Sequence, residues 1–393
     1  MTAQPDAHPH TLPLPLDLRS DEAVATYVQQ RWGRLLEDAG AGAARRYEEA
    51  EACPREFLRR AADEGLHRLG LPQDVGGDGF GPDVWGRVLE EVTYQCDEAA
   101  LSLVVSMSTS IAQTLHQSGD PYLTAHYVRP LVTGELTATL AFTEDADFFS
   151  WETRLTPDGD GGLLSGRKCY LTGGLLSDVF LVYALAHEGR LAACLVHRDD
   201  PGVELTPAGG LGARSAGMAA LTLTGVRLAP ERILTWTDGL DHSQWYLNER
   251  RSMQASWTVG RMRQLVDRCA ARLRTVTRQG RPVLDHANVA AGLGRMHIAT
   301  DVARTMTHDV LDRQARGETD LVYDAKISAA KHFTAEQALL IAQEALRVLG
   351  GHAFYGDEYY GRYLRDCAGL IPAGGTQHSL EITLGSMVAR RLI

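Results

Sequence analysis

Several things are scarce in this chain of 393 residues. Its six cysteines, Cys53, Cys96, Cys169, Cys194, Cys269 and Cys367, are scattered with no CxxC pair. That spacing excludes a zinc ribbon or disulfide framework and fits the reduced thiols of a cytosolic protein. No metal site is expected. Positive charge is in the minority, with 39 Lys and Arg against 50 Asp and Glu and a formal net charge of -11. The basic residues form only short clusters such as Arg250-Arg251, so a nucleic-acid partner is not expected. No apolar run is long enough for a membrane span, and residues 1–19, with neither a basic start nor an apolar stretch, read as a flexible leader. Cytoplasm is the default location. One absence is local: residues 371–378 contain no carboxylate.

What is present is the composition of a soluble globular protein, 44% hydrophobic and 23% charged, long enough for two or three cores. Apolar positions recur every three to four residues through 20–138, in runs such as EAVATYVQQRWGRLLEDAG, which predicts a helical domain. The texture changes over 139–242 to short β-type runs (LLSGRKCYLTGG, DVFLVYALA, LAACLVHR, ALTLTGVRL) separated by Gly, Asp and Pro. Helical periodicity returns over 243–393, in segments near 244–278, 285–315, 324–349 and 377–391. The fold class is α+β, in the order helix, sheet, helix.

Two glycine pairs, Gly350-Gly351 and Gly374-Gly375, bracket an aromatic-rich stretch read as a loop; such pairs serve where backbone adopts positive φ or approaches a ligand. Thr376 is placed to cap the last helix, whose free N–H groups suit an anionic or polar group. Further back, Glu249, Met253 and Trp257 fall at i, i+4 and i+8, with Gly260 following, and so share a helix face. That sets a carboxylate on an apolar stripe, where burial raises its pKa toward the range useful for proton abstraction. The alternative is an ordinary pairing of Glu249 with a neighbouring arginine.

Residues 347–379, RVLGGHAFYGDEYYGRYLRDCAGLIPAGGTQHS, together with LAFTE at 140–144 and KCYLTGG at 168–174, resemble the acyl-CoA dehydrogenase family, and the resemblance runs from about residue 50 to the end. It implies that family's fold, with a helical first domain, a β domain and a C-terminal four-helix bundle, and FAD as cofactor. Leu140, Phe142, Thr143, Tyr170 and Thr172 would wrap the flavin ring. Arg274, Arg278, Arg347, Gly350, Gly351, Thr376 and His378 would meet FAD, some of them that of a neighbouring subunit, which implies a homodimer or homotetramer. The family often carries its catalytic glutamate immediately before the second Gly-Thr, and here that position is Gly374. Its isovaleryl and long-chain branches place the base in a Glu-Arg pair at the start of the long helix instead, and the matching pair is Glu249-Arg250.

On that resemblance Glu249 takes the α-proton of an acyl thioester on CoA or a carrier protein while the β-hydride goes to the flavin. The Gly374 N–H polarises the thioester carbonyl, and Asn248, Arg250 and Met253 line the substrate. The electron acceptor is an electron-transfer flavoprotein or another carrier. The family's Gly-Ser-Asp turn is replaced by DADFFSWET, where Ala146 stands for the expected serine if Asp147 is aligned with the family aspartate. Phe148 and Phe149 would reshape the wall beside the flavin, which points to a specialised pathway. Two other readings stay open: a γ,δ-desaturase or other oxidase of a carrier-bound intermediate, and a non-catalytic oligomeric relative.

Overall fold

The computed structural model describes residues 18–145, 150–235, 238–356 and 358–393. The chain begins with helices α1 (Asp21–Gly40), α2 (Ala43–Glu48), α3 (Arg55–Asp63), α4 (Pro82–Gln95) and α5 (Ala99–His116), then two short ones, α6 (Pro121–Leu123) and α7 (Arg129–Thr133). Ser20 caps α1 by accepting from the Ala23 N–H, and Pro82 occupies the first turn of α4, where its missing N–H is not needed.

An eight-stranded sheet follows, from β1 (Ala138–Ala141) through β2 (Arg154–Asp158), β3 (Gly161–Leu171), β4 (Val179–Leu185), β5 (Leu191–His197), β6 (Val203–Pro207) and β7 (Ala219–Leu228) to β8 (Ile233–Leu234). The order is β6-β7-β3-β2-β4-β5-β8, with β1 parallel to β4 and Leu140 opposite Leu181. Every residue of β4 is buried, so its alternation serves two cores. Leu181, Tyr183 and Leu185 pack toward Ile111 of α5 and Tyr127. Phe180, Val182 and Ala184 pack toward Leu164, Leu221 and Leu223 of β3 and β7.

The chain then returns to helices: α8 (Gly239–Thr275), α9 (Ala287–Ala315), α10 (Leu321–Leu349), α11 (Glu358–Leu370) and α12 (Gln377–Ala389), with a two-stranded β9 (Thr277–Arg278) and β10 (Arg281–Pro282) after α8. Asp238 caps α8 through the Leu240 N–H at 2.8 Å. The aromatic stretch expected as a loop is the helix α11. Its Tyr359, Tyr360, Tyr363, Cys367 and Leu370 are buried at three-to-four residue spacing, so the aromatics form a packing stripe rather than a ligand loop. Among the described residues α8, α9, α10 and α12 occupy the four helical segments expected after the sheet, and α11 is a further helix between the last two. Among the described residues no helix is long and apolar enough to cross a membrane, and all six cysteines are free and buried.

Candidate active site

The turn between α11 and α12 is the centre of the site. Gly374 has φ +66° and Gly375 φ +92°, a region that side chains with a Cβ adopt at a cost. Thr376 accepts from the Ser379 N–H at 3.1 Å and starts α12. Both glycine carbonyls point inward onto buried cations. Arg251 Nε donates to the Gly374 carbonyl at 3.0 Å, and Lys331 Nζ donates to the Gly375 carbonyl and to Gln377 Oε1, each at 2.8 Å. A trans peptide sets its N–H opposite its C=O, so the N–H groups of Gly375 and Thr376 face away from the two cations. Desolvation, with Arg251 adding to it, lowers the Lys331 pKa to about 8, and desolvation lowers that of Arg251.

The flavin-facing segments of the sequence reading lie side by side in the β domain. The Cys169 N–H donates to the Thr143 carbonyl at 2.8 Å, and the Thr172 carbonyl accepts from the Thr139 hydroxyl. Tyr170 sits in a break of the β3–β7 register with φ +60°, 60% exposed, and its hydroxyl donates to Asp145 at 2.7 Å. Phe142 packs edge-on against Trp151 and Tyr183, and Leu140 is half-buried beside them. Lys168, fully buried, reaches the Phe142 carbonyl at 2.9 Å, Glu144 at 2.7 Å and the Trp151 ring face at 3.6 Å. Phe148 and Phe149 lie outside the described residues, as do Ala146 and Asp147.

Helix α5 joins these two parts. A Cβ on Gly173 would lie 3.2 Å from Val104, and the Ser108 hydroxyl donates to the Ala138 carbonyl at 3.2 Å. On the other side Arg250 donates to the Ser106 hydroxyl at 3.2 Å, and the Tyr246 hydroxyl contacts Met107 Sδ at 3.2 Å. Met253 is fully buried in the helical core. Asn248 donates to Asp324 at 2.6 Å and accepts from Gln244 at 3.0 Å.

Glu249 lies on a different face of α8 from the residues that meet the turn. Arg251 reaches the Gly374 turn, and a Cβ on Gly374 would meet Gln254 Oε1 at 2.7 Å, so these two residues mark the face of α8 that meets the turn. At about 100° per residue, Glu249 lies roughly 200° from Arg251 and 140° from Gln254. It points instead into the bundle, where Gln314 of α9 donates to its Oε2. Its Oε1 is buried without a partner among the described residues. Burial pushes its carboxyl up to about 7, against the opposing pull of the Gln314 hydrogen bond and the Arg250 charge. The apolar stripe and the raised pKa are both present, on a face of α8 turned away from the one that meets Gly374. The stripe that faces the turn, Leu247, Arg250, Arg251, Gln254 and Thr258, carries no carboxylate.

Of the remaining expected cofactor residues, Thr376 and His378 stay at the start of α12, while the others lie toward the far end of α8. The 25 residues from Glu249 to Arg274 span about 37 Å of helix at 1.5 Å per residue. There, Arg272, Arg278, Val348, Gly351 and His352 line a cleft, and a Cβ on Gly350 would lie 3.8 Å from Arg278 Nη2. Arg274 is exposed nearby. Arg347 pairs with Glu344 at 3.0 Å, and His378 is an exposed neighbour of Glu381 at 3.5 Å. Guanidinium groups beside glycine backbone suit a diphosphate, so the chain fits FAD at two separate places, a ring edge at Thr143 and Thr172 and a cationic cleft at Arg278. Arg251, Gln254, Lys331 and Ser106 escaped the sequence reading; a lysine inside the apolar run SAAKHF was the available signal for Lys331.

A β domain set against a helical bundle, with a double-glycine helix turn held from within, is the arrangement that the resemblance to flavin-dependent acyl thioester oxidoreductases implies. The chain belongs to the acyl-CoA dehydrogenase family: that family's N-terminal domain matches residues 25–135 and its C-terminal domain residues 237–392. It is a flavoprotein oxidoreductase acting on CH–CH bonds, with FAD as cofactor. It is 26% identical to the benzylmalonyl-CoA dehydrogenase of Aromatoleum aromaticum over 92% of this chain and 97% of that one. Among solved structures it resembles the prolyl acyl carrier protein oxidase AnaB (TM-score 0.87, 21% identity, 94% of this chain and 98% of that one). It also resembles FkbI, of methoxymalonyl extender-unit biosynthesis (TM-score 0.82, 26% identity, 92% and 99%).

Proposed function

We propose that the protein oxidises an acyl thioester on CoA or a carrier protein, with the thioester carbonyl docked on the outward N–H groups of the 374–376 turn. The observation that carries this reading is the pair of inward bonds, Arg251 to Gly374 and Lys331 to Gly375. They fix the turn so that its donors are preorganised toward the carbonyl, where charge builds as the α-carbon loses its proton. FAD, when bound, supplies the hydride acceptor, and the backbone at Thr143 and Thr172 together with Tyr170 would hold its ring edge. Electrons then pass to an electron-transfer flavoprotein or another acceptor.

In this proposal Glu249 is not assigned proton removal, because its carboxylate is turned toward Gln314 of α9. Arg250 on the turn-facing stripe favours a second reading, oxidation of an activated, carrier-bound intermediate whose proton leaves to a group outside α8. The names of two of the 26% identical relatives, a benzylmalonyl-CoA dehydrogenase and a protein of extender-unit biosynthesis, support a specialised pathway. The cleft at Arg278 lies too far along α8 to serve the same FAD as the 374 turn, which supports a homo-oligomer in which each FAD is shared by two chains.

The test is anaerobic titration of the flavin-loaded protein with a panel of acyl thioesters on CoA and on a carrier protein. Bleaching of the visible flavin band, with an enoyl product found by mass spectrometry, is expected. A flavin that no thioester reduces would overturn the reading.

A further inference from the structure

Resting on the thioester reading above, we propose that Arg250, in the gap between α5 and α8, is the receptor for a carboxylate carried by the acyl portion of the substrate. Arg250 is only 7% exposed. Its guanidinium offers five donors, and the Ser106 hydroxyl at 3.2 Å takes one. Among the described residues no carboxylate lies within the 4.0 Å of an ion pair to it.

Among the described residues Arg46 is the one other buried arginine with an ion pair, to Glu98 at 2.9 Å; Arg251 donates to the Gly374 carbonyl at 3.0 Å, and Arg261 donates to Gln264 at 2.6 Å beside the Tyr359 and Tyr363 rings. A buried guanidinium without a counter-charge is costly, since desolvation is not returned by any partner. Glu249, its neighbour in sequence, sends its carboxylate to Gln314 on the far side of α8. Desolvation pulls the Arg250 pKa down, and the charges of Tyr246 and Glu249 offset it only in part. A ligand carboxylate entering the gap would supply the missing charge and match the planar fork with two parallel hydrogen bonds.

Position narrows the class further. Arg250 stands four residues, about 6 Å of helix, before Gln254, the residue that meets Gly374. A thioester carbonyl docked at the turn therefore leaves room for only a few bonds before Arg250. The substrate class is a short dicarboxylic acyl thioester of the malonyl to glutaryl kind rather than a long fatty-acyl chain. Arg251 and Lys331 do not compete for that carboxylate, because both are engaged by backbone carbonyls of the turn.

The experiment is calorimetric binding of pantetheine thioesters, which carry the arm that CoA and carrier proteins share, to the flavin-loaded protein. Malonyl, succinyl and glutaryl thioesters are compared with propionyl, butyryl and valeryl thioesters. At least one carboxylated ligand is expected to bind about tenfold or more tightly than its neutral counterpart, the scale of a desolvated charge pair. Arg250→Gln should erase that difference, and Arg250→Lys should keep part of it. Equal binding of the two sets by the wild-type protein, or an undiminished preference in Arg250→Gln, would overturn the assignment while leaving thioester binding intact. Failure of all six ligands to bind would overturn the thioester reading and the assignment together. The wild-type comparison stands even if a variant does not fold.

Discussion

The Nε of Arg251 donates to the carbonyl of Gly374 at 3.0 Å, tying the early turns of the longest helix to the glycine turn that opens the last one. The two ends of that bond are 123 residues apart in sequence. A second tie runs from Lys331 of α10 to Gly375. Positive charge thus backs the turn on its buried side, and the donors on the other side are left for a ligand.

Arg251→Met removes the donor and leaves a buried carbonyl without a partner, a change worth about 1 to 3 kcal/mol. Flavin reduction by a thioester should slow by roughly 10- to 100-fold at that energy, with near-wild-type circular dichroism. Stopped-flow measurement of the flavin band checks this, and a rate within twofold of wild type would count against the tie.

Gly374→Ala brings two penalties to the same turn. The left-handed backbone costs a residue with a Cβ about 1 to 2 kcal/mol, and the new carbon would lie 2.7 Å from Gln254 Oε1. Reduction should be slowed, and adding Gln254→Ala should recover part of the loss by removing the clash but not the strain. No recovery in the double variant would show that Gln254 does not pack on the turn.

Glu249 gives a pH signature. Its folded-state pKa is raised from the usual 4.5 to about 7, so the folded chain holds the proton over a window in which the unfolded chain has released it. The stability it contributes is fully present below about pH 4.5, falls as pH rises to about 7 and is absent above. The total is on the order of 3 kcal/mol at 1.36 kcal/mol per unit. Denaturant melts of Glu249→Gln should therefore be flatter than wild type across that window. Parallel profiles for the two proteins would contradict the buried, bundle-facing carboxyl.

Helix α12 buries only Gln377 and Leu380 and leaves Ile382 60% and Val388 62% exposed. An apolar face of that kind on a terminal helix fits an oligomer contact. Light scattering should give at least a dimer, and Ile382→Glu with Val388→Glu should shift it toward monomer and weaken FAD retention. A flavin-loaded wild-type monomer would refute the shared-cofactor arrangement.

The fold and the 374 turn were legible because their signals are local. Glycine pairs, a capping threonine and the change from helical to alternating patterning are each set by a few neighbouring residues. The phase of α8 was not. Residues 248–262 of this helix are buried on every side, so hydrophobic spacing defines no single inward face. The stripe of Glu249, Met253, Trp257 and Gly260 is real, yet it packs on other helices: Glu249 meets Gln314 of α9, and a Cβ on Gly260 would lie 2.2 Å from the Glu90 carbonyl of α4. Which stripe meets the turn depends on where α11 and α12 return, and that is a tertiary fact. Likewise the glycine pairs that bracket the tyrosines of α11 suggest a loop, although the tyrosine spacing is helical.

The most direct measurement is the rate of anaerobic flavin reduction by a productive acyl thioester in wild type and in Glu249→Gln. With the 374 turn as the thioester dock and Glu249 on the opposite face of α8, both proteins should bleach, at rates within about tenfold of each other, well short of the 10²–10⁴-fold loss typical of a removed general base. A loss of about a thousandfold in Glu249→Gln, with flavin content and fold unchanged, would contradict that placement and return Glu249 to the role of base.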